Sequence, residues 1–228
     1  MLEIAHRGYS EIHPDNSLTA FKAAVANGFD MIEVDIQLCK TGEIVCFHDI
    51  FLNEKLIKTL SLKELGEKCP SILTLNDFFK EINTNKMGVL LDMKGDDNLA
   101  KVLIKFLKKR RSLINFDNLY ISSYNENHTM ELNKSMLPLK LGIITDNKFS
   151  LPEFGNIHFV SIYWPMVDEI LIKYCRAAGI KIFIFSIQEM NQYNFVKDLK
   201  VDGIITNCKL PLFKLKKNIG NFKINVSI

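Results

Sequence analysis

Apolar runs of strand length begin near Leu2, Met31, Val89, Leu119, Lys140, Phe159, Lys181 and Gly203, and helical stretches separate most of them. Between the first two, Leu18, Phe21, Ala24 and Val25 recur at helical spacing within Ser17–Asn27. Asp15, Asn16 and Ser17 are all suited to capping that helix, and Asn27-Gly28 stops it. Strand, helix and strand in so short a span form a βαβ unit with parallel strands. Eight such repeats in a chain of 228 residues predict an α/β fold, a (β/α)8 TIM barrel trimmed from the usual ~250 residues. A doubly wound sheet is the alternative, but no Gly-rich phosphate loop follows the first strand.

One segment breaks the repeat. After the second strand, Lys40-Thr41-Gly42-Glu43 signals a tight turn, so Ile44–His48 returns antiparallel and ends at His48-Asp49. Residues 38–72 therefore read as a short insertion after strand 2, irregular over Ile50–Ser71 apart from a small helix at Leu62–Glu67. Further helices are expected at Thr74–Ile82 (capped by Thr74), Leu99–Lys109, Asn127–Met136, Val167–Ala178 and Gln192–Leu199. Residues 1–212 are expected to form one domain, followed by a basic tail over 213–228. Five lysines and no acidic residue follow Asp202, which leaves 24 basic against 26 acidic residues up to and including it. Such a tail reads as a solvated end, with contact to an anionic membrane surface as its other use and no nucleic-acid partner expected. Within it, FKINVSI alternates as an extra strand would.

The five cysteines (Cys39, Cys46, Cys69, Cys175, Cys208) are odd in number and lack C-x-x-C spacing. They form neither a zinc site nor a disulfide framework, and read as reduced thiols of a cytoplasmic protein. The N-terminus enters a strand at once, without a secretory signal. No apolar run reaches the roughly 20 residues that span a bilayer.

The second strand, MIEVDIQ over Met31–Gln37, sets Glu33 and Asp35 on one face and Ile32, Val34 and Ile36 on the other. Two anions roughly 6.5–7 Å apart on a buried face repel by about 2–3 kcal/mol at an effective dielectric of about 20. Either they face solvent on an edge strand, or something neutralises them: a proton, basic neighbours or a divalent cation. Barrels of this kind carry their catalytic groups at the C-terminal ends of the strands. At those ends stand His6-Arg7, Glu33 and Asp35, His48-Asp49, Asp92-x-Lys94 and Ser122-Ser123-Tyr124. Asp92 and Lys94 also have a plainer reading, as partners of each other. Three carboxylates (Glu33, Asp35, Asp92) suit a hard divalent cation, Mg²⁺ or Ca²⁺. Arg7 and Lys94 suit phosphate oxygens, and His6 and His48 suit acid/base work near neutral pH. Phosphodiester cleavage needs this combination of charge neutralisation, nucleophile activation and leaving-group protonation.

At these residues the chain resembles the glycerophosphodiester phosphodiesterases, from Ile4 to Pro211. The resemblance is carried by Ala5-His6-Arg7-Gly8, Pro14-Asp15-Asn16-Ser17, Ile32-Glu33-Val34-Asp35 and His48-Asp49. Weaker echoes lie at Ile72–Leu75, Leu91–Lys94, Ile121–Tyr124 and Asp202–Pro211. It implies a TIM barrel with a small insertion after strand 2, a metal held by Glu33, Asp35 and Asp92, acid/base roles for His6 and His48, and phosphate binding by Arg7 and Lys94. It also implies that a neighbouring substrate hydroxyl attacks phosphorus to give a cyclic phosphate that water opens. The products would be glycerol 3-phosphate and an alcohol such as choline or ethanolamine. Tyr124, Trp164, Phe185 and Gln188 are the expected pocket wall.

Three positions depart from the family pattern. Asp92 stands where Glu is usual, Phe185-Ser186-Ile187-Gln188 replaces WTVN, and Asn207 replaces an Asp. They leave two other readings open beside the metal-dependent diesterase. One is a lysophospholipase D-like or cyclising phospholipase, with Tyr163-Trp164-Pro165-Met166 as an apolar rim. The other is a phosphate-binding barrel with weakened catalysis.

Overall fold

The eight apolar runs are the eight strands of a closed barrel. In the computed structural model, which describes residues 1–146 and 157–209, these are β1 (Leu2–Ala5), β2 (Met31–Leu38), β3 (Gly88–Met93) and β4 (Leu119–Ser123). They continue as β5 (Lys140–Thr145), β6 (Phe159–Tyr163), β7 (Lys181–Ile187) and β8 (Gly203–Thr206). Each runs parallel to its neighbours in sequence, and β1 pairs with both β2 and β8 to close the ring. The helices outside are α1 (Leu18–Ala26), α2 (Leu62–Lys68), α3 (Leu75–Glu81), α4 (Leu99–Lys109), α5 (Glu126–Asn133), α6 (Glu169–Ala177) and α7 (Met190–Val196).

Strand alternation sorts the core into two parts. Ile4, Met31, Leu90, Tyr120, Phe159, Phe183 and Ile205 fill the barrel lumen as one apolar plug. Ile32, Val34, Ile36, Val89 and Leu91 point outward into the larger cluster that includes Phe21, Phe78 and Leu103 of the helices. β2 is therefore covered on both faces, with Glu33 only 4 % and Asp35 only 1 % exposed. This removes the edge-strand reading: the two acids lie inside the barrel, above the plug.

The excursion after β2 follows the expected course. Ile44–Cys46 pairs antiparallel with the end of β2, Ile36 opposite Cys46, and Leu73–Thr74 adds a further antiparallel pair. Within the stretch expected to be irregular, Phe51–Leu52 and Lys55–Leu56 form a small ribbon. Asn53 and Glu54 join them with φ of 47° and 63°, the positive values a type I′ turn requires. Strands of two residues are too short for alternation to signal.

Helix ends shift by their caps. Asn125 accepts from Asn127 N and starts α5 early, and the chain has left the helix before Met136, where φ is 59°. Asp168 caps α6, and a Glu189–Gln192 capping box starts α7 ahead of the expected Gln192. The basic tail, FKINVSI and Pro211 lie outside the described residues.

Gly8, at the exit of β1, sets how closely α1 approaches the barrel mouth. Its φ is 81°, and a Cβ there would stand 2.7 Å from the Ala20 carbonyl carbon. Gly8→Ala therefore adds a left-handed alanine and a clash with helix backbone. It is expected to lower stability by roughly 2 kcal/mol or more, read as a lower urea midpoint at unchanged m.

Candidate active site

At the end of β1 the chain turns left-handed, with Arg7 at φ 56°. The turn carries Arg7 N onto Glu33 Oε2 at 2.7 Å and lays the guanidinium between two acids. Arg7 Nη1 donates to Asp15 Oδ2 at 2.9 Å, and Nε stands 3.2 Å from Asp35 Oδ2. Of the three expected caps only Ser17 caps α1, accepting from Ala20 N. Asn16, 3 % exposed and at φ 54°, is turned to the site instead. Its Nδ2 donates to Asp35 Oδ2 at 2.8 Å, and its Oδ1 accepts from Asp35 N at 3.1 Å.

Asp92 lies in register with Asp35 on the neighbouring strand. Lys94, just beyond β3, stands 2.5 Å from Asp92 Oδ2 and 3.2 Å from Asp35 Oδ1. Glu33, Asp35 and Asp92 each offer a carboxylate oxygen, and these oxygens lie within 4.8 Å of one another. The other Asp92 oxygen, Oδ1, is buried without a hydrogen-bond partner.

Two fixed cations thus face three buried acids. Burial, with Asp35 and Asp92 nearby, pushes the Glu33 carboxyl well above the usual range. Burial lifts Asp92 to about 7 against the pull of Lys94, and Asp35 adds to the rise. Burial works on Asp35 too, but Lys94 and Arg7, with His48 and Asn16, hold it below the usual range. Burial opposes the charge on Lys94, and Asp92 and Asp35 hold its proton more tightly than usual. Neutrality needs either protons on the acids or a further positive charge. The buried, unsatisfied Asp92 Oδ1 and the all-oxygen donor set fit a divalent cation.

The histidines flank this cluster. His6 Nδ1 donates to Asn207 Oδ1 at 2.6 Å. Burial, with Arg7 adding, lowers His6 to about 4, so near neutral pH the ring is uncharged with Nε2 left to act. His48 Nδ1 lies 2.7 Å from Asp49 Oδ1, and its side chain is 39 % exposed.

His6, Arg7, Glu33, Asp35, His48, Asp92 and Lys94 all line one cavity of about 300 Å³ at the barrel mouth. Tyr124, Phe185 and Gln188 line its wall, but Trp164 does not, a correction to the expected set, and Tyr163 takes that place. Alternation explains the correction: Phe159, Ser161 and Tyr163 face the lumen along β6, and the next residue points away. Trp164 begins a 3₁₀ turn and packs against Phe195 at 5.5 Å between ring centroids. Of the paired serines, Ser122 lines the cavity, whereas Ser123 faces away, donating to Met93 O and lying 2.9 Å from His128 Nδ1. Arg7 and Lys94, expected on phosphate, both rest on carboxylates at the cavity edge. Asn16, one of three candidate caps within the Pro14–Ser17 motif, thus joins the site through its two hydrogen bonds to Asp35.

Residues 6–208 match the model of the glycerophosphoryl diester phosphodiesterase family. The chain belongs to that family. A glycerophosphodiester phosphodiesterase of Caldanaerobacter subterraneus subsp. tengcongensis is 29 % identical over 247 residues, covering 96 % of this chain and 99 % of the relative. Among solved structures, the Oleispira antarctica phosphodiesterase in complex with sn-glycerol-3-phosphate superposes with a TM-score of 0.80 at 23 % identity, covering 96 % and 97 % of the two chains. The Thermotoga maritima glycerophosphodiester phosphodiesterase gives 0.76 at 24 %, covering 96 % and 98 %. These two likenesses establish the (β/α)8 fold. The phosphodiesterase hydrolyses glycerophosphodiesters to glycerol 3-phosphate, and its buried acidic triad is suited to a divalent cation. Among the described residues no helix is long and apolar enough to cross a membrane.

Proposed function

We propose that residues 1–212 act as one catalytic unit in which Glu33, Asp35 and Asp92 hold Ca²⁺ or Mg²⁺, His6 and His48 move protons, and Arg7 and Lys94 take phosphate oxygens. The observation that carries this reading is the convergence of all seven side chains on one cavity. Oxygens on opposite sides of Ca²⁺ stand about 4.6–5.2 Å apart, and those of Mg²⁺ about 4.0–4.2 Å. The triad's oxygens, within 4.8 Å of one another, are close enough for one such ion to reach all three. The shorter Asp92 belongs to this set, which argues against a barrel whose cage is open.

A bound cation neutralises phosphoryl charge and polarises the attacking oxygen. The chain's own groups do the rest. His6, neutral and with Nδ1 held by Asn207, accepts the proton of the attacking hydroxyl at Nε2. His48, oriented through Nδ1 by Asp49, protonates the departing alkoxide, and the two histidines exchange roles as water opens the resulting cyclic phosphate to glycerol 3-phosphate. Arg7 and Lys94 reach from the carboxylates to the phosphoryl oxygens, which come to the same cavity. Five free cysteines, four of them buried, suit a reducing, cytoplasmic compartment.

A second reading, lysophospholipase D-like or cyclising cleavage of lysophospholipids, draws on the aromatic wall. Tyr124, Phe185 and Tyr163 follow one another along the cavity at 6.5 and 6.1 Å between ring centroids, and Tyr163 continues to Trp164 at 6.2 Å. Glycerophosphocholine, glycerophosphoethanolamine and detergent-dispersed lysophosphatidylcholine, each with Mg²⁺, Ca²⁺ or chelator, separate the readings. The expected result is glycerol 3-phosphate from the first two, lost with chelator and restored by the ion. Turnover unaffected by chelator would overturn the metal assignment, and turnover of the lysolipid alone would favour the second reading.

A further inference from the structure

Residues 47–49, which carry His48 over the barrel mouth, have little of the ladder to hold them. The first residues of β2, Met31 and Ile32, pair with β1, and the last, Ile36–Leu38, with Ile44–Cys46. Past Cys46 the chain peels off β2, and among the described residues its one backbone bond over 47–49 is Phe47 N to Asp35 O at 3.1 Å. The side chain of Gln37 supplies what is missing. Both hydrogens of its Nε2 are used, one on Phe47 O at 2.9 Å and one on Asp49 O at 2.8 Å. These carbonyls flank His48 and face one side, as alternate carbonyls of extended backbone do. Gln37 is itself 3 % exposed and fixed on β2, two residues beyond Asp35. Gly95, at φ 74°, lies beside its amide: a Cβ there would make an ordinary contact, 3.4 Å from Gln37 Oε1.

We propose that Gln37 is a positioning residue for His48, a two-pronged clamp that ties the imidazole's backbone to the strand bearing the metal ligands. Both ends of the chemistry are thereby set by one strand: Glu33 and Asp35 through their own side chains, His48 through the amide of Gln37. A carboxylate or an apolar side chain at position 37 cannot make the clamp, because neither offers two N–H donors. The proposal rests on the acid/base reading of His48.

The test is a double-mutant cycle on glycerophosphocholine turnover with Ca²⁺ present. Gln37→Met, which keeps the unbranched shape, should lower kcat roughly ten- to hundredfold with KM little changed, as a misplaced catalytic group does. In a His48→Ala background the same change should cost less than about threefold, because residues that act as one unit are not additive. Gln37→Glu, isosteric but ionised, should behave as Gln37→Met does and guards against a packing defect in either variant. Calorimetric Ca²⁺ affinity should stay within about threefold of the parent. An additive loss in the His48→Ala background, an unchanged kcat, or a loss that tracks weakened Ca²⁺ binding would each overturn the clamp. A fully active His48→Ala would instead overturn the acid/base reading beneath it.

Discussion

His6→Ala should lower kcat on glycerophosphocholine by about 10²–10⁴, and His48→Ala by a similar factor, the range typical of a positioned general base or acid. The two differ in their supports. His6 is held at Nδ1 by Asn207, and burial, with Arg7 adding, lowers it to about 4. A base with so low a value is unprotonated throughout the neutral range, so with the ion site kept saturated by Ca²⁺ kcat/KM should fall on the acid side only as pH approaches that value. Asn207→Asp provides the internal control. It places an anion 2.6 Å from His6 Nδ1, favours the imidazolium, and should move the acid limb of the pH–rate profile towards neutrality. His48→Ala should leave that limb where it is. Full activity in His6→Ala, or an acid limb insensitive to Asn207→Asp, would remove His6 from the reaction.

How much of this was legible depended on whether the information was local. β2 could be read because its alternation is local, and Glu33 and Asp35 follow from it. The same rule placed His6, Asp92 and Lys94 at strand ends. What escaped depends on chain crossings that no periodicity records. Asn16 looks like one of three interchangeable caps until the loop folds back on Asp35. Gln37 looks like the polar end of a strand until residues 47–49 cross above it. Trp164 was expected in the wall because aromatic content is visible and facing is not; one residue along β6 decides between lumen and exterior. Arg7 and Lys94 read as anion binders from their residue type alone, and the nearest anions to them in the fold are the protein's own.

That last point gives the second large effect, in which function and stability move in opposite directions. Asp35→Asn and Glu33→Gln each remove one carboxylate from the triad, and each should bring diester turnover below about a hundredth of the parent, beyond the 10–100-fold seen for lost outer-shell partners. Their stabilities without divalent ion should diverge. Asp35 is the acid that Lys94 and Arg7 share, so Asp35→Asn leaves these half-buried cations one carboxylate each, Asp92 and Asp15, and should cost roughly 1–3 kcal/mol. Glu33 is the acid that burial and its neighbours disfavour as an anion. The amide oxygen that Glu33→Gln introduces can still accept from Arg7 N, so this substitution should be neutral or stabilising in chelator. The same imbalance fixes the pH dependence of ion binding. Glu33 and Asp92 are raised, so the folded protein holds protons that must leave before the ion enters. Stabilisation by added Ca²⁺ should therefore be small at pH values well below 7 and grow as pH rises through about 7, where Asp92 gives up its proton. Thermal unfolding of parent and both variants, with Ca²⁺ or chelator across that range, checks all of it. Equal destabilisation by the two substitutions, or a Ca²⁺ increment independent of pH, would mean that the triad is not a charge-frustrated ion site.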